Sequence, residues 1–490
     1  MGVLKTLLFS VGFVLTIFRG LISVSLGAAD VFPIYPKNEQ FEVSSLVEQD
    51  TQRIGRRLQA AAKTTVFNVQ GNVFPDGIYY VIAYIGNPAK EYYLDVDTGS
   101  DLTWLQCDAP CRSCAKTTHK YYKPNPRSGV SCNDPLCVAV QGPDRRRYNC
   151  QSSNQQCDYD IKYADGGSSM GFLIRDAFTV KLTNGTVIRP NSAFGCGYDQ
   201  AGSLKQTQIT DGVLGLSGGP SSLPSQWERE GLIKNVIGIC IAGGGKKGGY
   251  MFFGDELVPT SSMSWVPLLR GPTTKYYHVG AAQMIFGSKL LAKDGDERRL
   301  GGIIFDTGSS YTYFTKQAYD ALVAAVKESI GKQLVLDSSD RVLPLCWQGK
   351  KKFRSIADAK LYFKSLTFNF KSTSPYTRNA QLVIPPEGYL IISAKGNVCL
   401  GILDGTSVAP YNVIGDVSLQ GYLVVHDNSN NRIGWINTDC SRLPKSSPRR
   451  WALEDPQQLP GEEAIPFAQD LGKGVCPSTS FFLPDYDTLQ

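Results

Sequence analysis

Two copies of one tetrapeptide, Asp97-Thr98-Gly99-Ser100 and Asp306-Thr307-Gly308-Ser309, stand about two hundred residues apart in this chain. Each closes an apolar or aromatic run, Tyr92-Tyr93-Leu94 in the first copy and Ile303-Ile304-Phe305 in the second. By average residue usage one such tetrapeptide turns up in roughly one chain in a hundred of this length. A second copy after another strand-like run points to two related halves, each bringing one carboxylate to a shared site. Two carboxyls about 3 Å apart cannot both ionise, so the pair keeps one proton. The ionised member can take a proton from water while the neutral one protonates a carbonyl oxygen. That is hydrolytic chemistry without a covalent nucleophile, and it calls for no metal and no cofactor. The pair titrates as a unit. The neighbours suit the task. Gly99 and Gly308 remove bulk where two backbones must approach. Thr98 and Thr307 can brace one loop against the other, and Ser100 and Ser309 can donate to the outer oxygen of their aspartates.

Such loops need rigid strands beneath them. From about residue 78 the chain runs in short aromatic and β-branched stretches, such as Tyr79-Tyr80-Val81-Ile82-Ala83-Tyr84-Ile85, broken by Gly, Pro, Asn and Asp. This predicts an all-β body. The halves align by three markers: Tyr79-Tyr80 with Tyr276-Tyr277, the two tetrapeptides, and Val213-Leu214-Gly215 with Val413-Ile414-Gly415. One helix is expected over 316–330, where Tyr319, Leu322, Val323, Val326 and Ile330 recur at helical spacing.

Asp97-Thr98-Gly99-Ser100-Asp101-Leu102-Thr103-Trp104 and Ile304-Phe305-Asp306-Thr307-Gly308-Ser309-Ser310 resemble the two active-site segments of pepsin-like aspartic endopeptidases. Asp211-Gly212-Val213-Leu214-Gly215-Leu216 and Asn412-Val413-Ile414-Gly415-Asp416 resemble the segments that cross beneath those loops in the family. The resemblance is strongest to the plant nucellin and nepenthesin subgroup and covers about residues 75 to 440. It implies a bilobal fold with a central cleft and a few short helices, with Asp97 and Asp306 as the catalytic pair. It also implies an acid pH optimum and extended polypeptide substrates with bulky apolar side chains. The segment from Asp160 to Gly171 resembles the family's flap hairpin. Tyr163 would then be the flap tyrosine, its hydroxyl reaching towards Trp104, and Gly166 and Gly167 would supply the turn. The position of Cys346 and Cys399 resembles a bridge common in the second lobe, which leaves Cys240 for Cys440. The alternative is a catalytically silent binding protein on the same fold, since the subgroup includes xylanase inhibitors.

The domains expected are a signal peptide at 1–28, a propeptide or N-terminal extension at 29–74, and a first lobe at 75–254 with a cysteine-rich insert and flap. A second lobe follows at 255–440, then a disordered tail at 441–490. The signal peptide rests on Lys5, the apolar run Leu7 to Phe18 and the small residues Gly27-Ala28-Ala29. The competing reading is an uncleaved anchor, but the uninterrupted run is too short to span a bilayer. Arg53, Arg56, Arg57 and Lys63 would let the extension cover an anionic site. Thirteen cysteines, eight of them between Cys107 and Cys196, imply disulfides and the secretory pathway, with extracellular space or vacuole as destination. Cys107-x3-Cys111-x2-Cys114 could be a zinc or redox motif, but disulfides are the expectation; Cys476 is unpaired by count. A net charge of +6 with no long basic block argues against nucleic acid. A monomer without stable membrane association is expected. His119, His278 and His426 show no ligand spacing and read as surface or strand residues. Asp101 and Asp165 read as loop and surface groups, and Asn184-Gly185-Thr186 is a glycosylation sequon.

Overall fold

The computed structural model describes residues 64–443, apart from residues 118, 143–149, 153–154, 207, 244, 260–261, 270–275, 294 and 372–378. The signal peptide, most of the N-terminal extension, and Cys476 with the tail beyond 443 lie outside the described residues. The fold is bilobal and built from strands. Among the described residues, a sheet of 14 strands is joined by sheets of five, four and four, with a few helices.

The two halves repeat one five-strand arrangement. In the first, Ile78–Ile85, Lys90–Asp97, Gly212–Gly215, Trp104–Gln106 and Asn191–Ala201 are successive neighbours. In the second, the order is His278–Val279, Ile303–Phe305, Asn412–Ile414, Thr312–Phe314 and Ile402–Asp404. The pairings run antiparallel, parallel, antiparallel, parallel in both sets. The short parallel strands Gly212–Gly215 and Asn412–Ile414 are buried throughout, which is why both read as apolar without alternation. They lie against the strands that end at the two tetrapeptides and hold each loop from below.

Strand register shifts one expected equivalence by a residue. Tyr80 opposes Asp95, and His278 opposes Ile304, each two residues ahead of a motif aspartate. The counterpart of Tyr79 is therefore Tyr277, and both are buried. Tyr276 is instead the counterpart of Ile78. Two adjacent tyrosines in each half hid this slip, because side chains alternate faces and a one-residue shift exchanges them.

The 14-stranded sheet also joins the halves. It continues from Ile78–Ile85 through Thr65–Asn72, Gly249–Phe253 and Val236–Ile241 into Tyr422–Asp427, Arg432–Asn437 and Ser264–Pro267 of the second half. Thr65–Asn72 pairs on both sides, so this part of the expected extension is built into the sheet. The helix Lys316–Ile330 forms as predicted, burying Leu322, Val326 and Ile330 with Tyr319 and Val323 packed alongside.

Among the described residues, six disulfides complete the scaffold. Cys107–Cys196, Cys111–Cys114, Cys132–Cys150 and Cys137–Cys157 lie in the first half. Cys346–Cys399 crosses two paired strands, and Cys240–Cys440 ties the chain after the last strand to the joining sheet. Among the described residues no helix is long and apolar enough to cross a membrane.

Candidate active site

Each tetrapeptide turns sharply at the end of its strand, and the two turns interlock. The Thr98 amide donates to Thr307 Oγ1 at 3.2 Å, and the Thr307 amide donates to Thr98 Oγ1 at 3.0 Å. Each hydroxyl then donates onward into the other half, Thr98 to the Phe305 carbonyl at 3.3 Å and Thr307 to the Val96 carbonyl at 2.7 Å. All four bonds are buried, so none competes with water, and together they define a local two-fold axis. The glycines explain how close the loops come. A side chain at Gly99 would collide with the Asp306 carboxylate, and one at Gly308 with the Asp97 carboxylate.

The carboxyls are held symmetrically too. Asp97 Oδ1 accepts from the Gly99 amide at 2.8 Å, and Asp306 Oδ1 from the Gly308 amide at 2.9 Å. Ser100 donates to Asp97 Oδ2, and Ser309 to Asp306 Oδ2 at 2.9 Å. The two carboxyls lie within hydrogen-bonding reach of each other. Burial and the charge of Asp306 push Asp97 above the usual carboxylate range, against the pull of Ser100 and the Gly99 amide. Burial raises Asp306 as well, with the Gly308 amide and Ser309 opposing it. A pair so placed keeps a proton at acid pH and binds it as a unit.

Over this pair lies the hairpin of Asp158–Lys162 and Ser168–Lys181. Its turn closes through the Tyr163 amide to the Gly167 carbonyl at 2.8 Å, with Gly166 at φ +84°. Trp104 Nε1 donates to the Tyr163 hydroxyl at 2.7 Å, and Ser100 lies within hydrogen-bonding reach of the same oxygen. Trp104, Tyr163, Ser100 and Asp97 thus form one polar chain from the lobe to the dyad. At the tip, Asp165 accepts from the Gly167 amide at 2.8 Å and from Ser203 Oγ at 2.5 Å.

Other expected positions fall elsewhere. Asp101 is not a surface group: it is buried and accepts from Ser217 at 3.1 Å and from Ser221, anchoring the loop after Gly215. His119 is half-buried, its Nδ1 2.7 Å from Asp211 Oδ2. His426 is fully buried in a strand. Asn184 is exposed in a turn between paired strands. An apolar cavity of about 500 Å³, lined by Phe67, Val81, Phe178, Trp227 and Phe253 among others, includes neither aspartate of the dyad.

Three groups near the dyad were not singled out as site residues from sequence. Tyr276 is 48% exposed and acts electrostatically with both Asp306 and Asp97. Tyr313 lies within range of Asp165 on the hairpin tip and of Asp306. Asp95 sits two residues before Asp97 on the same strand face. Only its spacing from Asp97 could have signalled it. Beneath the dyad, Asp416 is buried with Oδ1 lacking a partner among the described residues, and burial and the charges of Asp95, Asp306 and Asp97 raise its pKa.

Two family models, described as Xylanase inhibitor N-terminal and Xylanase inhibitor C-terminal, match residues 79–255 and 277–436. An aspartic proteinase of Oryza sativa subsp. japonica is 42% identical over 401 residues, covering 80% of this chain and 94% of that protein. The chain belongs to the pepsin-like aspartic protease family. Within it, aspartic proteinase nepenthesin-1 of Nepenthes gracilis is 28% identical over 406 residues, covering 81% of this chain and 86% of that protein. Among solved structures, basic 7S globulin from soybean superposes with a TM-score of 0.60 at 18% identity, covering 79% of this chain and 100% of that chain. The crystal structure of edgp gives a TM-score of 0.60 at 20% identity, covering 79% of this chain and 99% of that chain. At these identities the structural likeness establishes the pepsin-like fold alone.

Proposed function

We propose that this protein is an aspartic endopeptidase that cuts extended polypeptides at acid pH, with Asp97 and Asp306 as its catalytic residues. One observation carries the reading: two carboxyls from different halves, Asp97 buried and Asp306 half-buried, lie within hydrogen-bonding reach, each kept in place by its own Gly amide and Ser hydroxyl. The dyad shares one proton and holds a water between its members. The ionised carboxylate takes a proton from that water as its oxygen bonds to the scissile carbonyl carbon, and the neutral carboxyl protonates the carbonyl oxygen. Collapse of the tetrahedral species breaks the C–N bond, with a proton passing to the leaving nitrogen. Thr98 and Thr307 keep the geometry, and the Tyr163 hairpin closes over substrate and excludes water. The protein enters the secretory pathway through residues 1–28 and acts as a monomer in the extracellular space or vacuole. It carries a glycan at Asn184, and residues ahead of the Thr65–Asn72 strand are a removable leader.

The match to models named for xylanase inhibitors favours a second reading, a silent binding protein on this fold. Cleavage of a denatured protein across roughly pH 3–7, the span over which paired carboxyls titrate, separates the two. The protease reading expects an acid-side maximum that disappears in Asp97→Ala and Asp306→Ala. Equal activity in either variant, or none in the correctly folded wild type, overturns it.

A further inference from the structure

We propose that Asp95 is a specificity-determining residue that makes the subsite on the hairpin side of the dyad select a lysine or arginine side chain. The inference rests on the protease reading and goes beyond it by naming a substrate class. In the strand Lys90–Asp97, Leu94 and Val96 are buried in the core while Tyr93 and Asp95 keep solvent contact on the opposite face. Period-two alternation places Asp95 on the face of Asp97, one strand repeat away. The acids that act on it come from three elements: Asp97 on its own strand, Asp306 from the other lobe, and Asp165 at the hairpin tip. Asp95 in turn acts on Asp416 at the start of the segment beyond Gly415. Tyr80, directly opposite on the neighbouring strand, stacks on Tyr93 with ring centroids 5.1 Å apart. A group enclosed by both lobes and the hairpin, yet reached by water, lies on the floor of the cleft.

No Lys, Arg or His among the described residues pairs with the Asp95 carboxyl. The two lobes differ here: its counterpart in the second half is Ile304, which is buried. An apolar residue suffices to support the strand at this position, so support alone does not require an acid. Burial, followed by the charges of Asp97 and Asp306, raises the Asp95 pKa. A cationic substrate side chain supplies the missing counter-charge and lets the carboxyl ionise. The preference should therefore grow as pH rises from about 4 to about 6.

The test is a cleavage-site profile of the full-length protein on a defined peptide mixture at both pH values, for wild type, Asp95→Asn and Asp95→Ile. In wild type, Lys and Arg should be enriched at one position beside the cut. For matched peptides the Lys-to-Leu ratio of kcat/KM should fall roughly tenfold or more in both variants. Should neither variant fold, acetylating the lysine of a cleaved peptide must produce the same loss with wild type. Wild type that cuts only beside apolar residues, or an Asp95→Asn variant that keeps the cationic preference, overturns this inference and leaves the protease reading standing. A folded wild type that cuts nothing overturns both.

Discussion

His426 should make the fold lose stability in acid. The imidazole has no solvent exposure, and among the described residues neither ring nitrogen makes a well-formed hydrogen bond, the Ile237 backbone opposing the effect of burial only weakly. Its ring centroid lies 4.2 Å from that of Tyr277, whose hydroxyl donates to the Leu216 carbonyl of the first lobe at 2.7 Å. Burial pushes the His426 pKa from 6.5 to about 3. A depressed histidine stabilises the fold fully above its unfolded value, and that contribution is lost as pH falls towards the folded value. At about pH 4.5 the unfolded histidine is almost wholly charged while the folded one is still neutral, which removes about 3 kcal/mol; well below pH 3 the loss approaches about 5 kcal/mol. Against a total stability of about 5–15 kcal/mol this is large. The raised carboxyls Asp95, Asp97, Asp306 and Asp416 act in the opposite sense, favouring the fold at low pH, so the wild-type curve alone is ambiguous. The decisive quantity is the difference between His426→Phe and wild type, measured by denaturant unfolding with disulfides intact at about pH 8, 6 and 4.5. Overpacking against Tyr277 adds an offset, but that offset does not depend on pH. The difference should move by about 3 kcal/mol in favour of the variant between pH 8 and 4.5. Parallel curves, constant to within about 0.5 kcal/mol, would refute the reasoning.

Three further outcomes follow from the site. Thr98→Ala or Thr307→Ala leaves a buried amide and a buried carbonyl unpaired across the lobes, so each should lower stability by about 1–3 kcal/mol and reduce kcat, read by unfolding and steady-state kinetics. Ser309→Ala removes a donor that favours ionised Asp306, so the acid limb of the pH–rate profile should move to higher pH; an unmoved limb contradicts the assignment. Tyr163→Phe strands the buried Trp104 indole N–H, so stability should fall by about 1–3 kcal/mol and kcat/KM should drop roughly tenfold, read by unfolding and steady-state kinetics.

Much of this protein is written locally. The repeated tetrapeptides, the Val-Leu-Gly and Val-Ile-Gly segments, the glycine-rich hairpin turn and the stripe of the 316–330 helix are set by residue type at short spacing. Such patterns survive in a string because strand alternation, turn geometry and helical period are properties of neighbouring residues. Pairings between distant residues belong to the tertiary structure. The eight cysteines from Cys107 to Cys196 allow 105 sets of bonds, and only the folded chain selects among them. The same holds for the register that matches Tyr79 with Tyr277, for the burial of Asp101 and His426, and for the gathering of Asp95, Asp165, Asp306 and Asp416 about Asp97. Electrostatic character depends on which groups arrive from other strands and on how much water they displace, and no residue carries that information by itself.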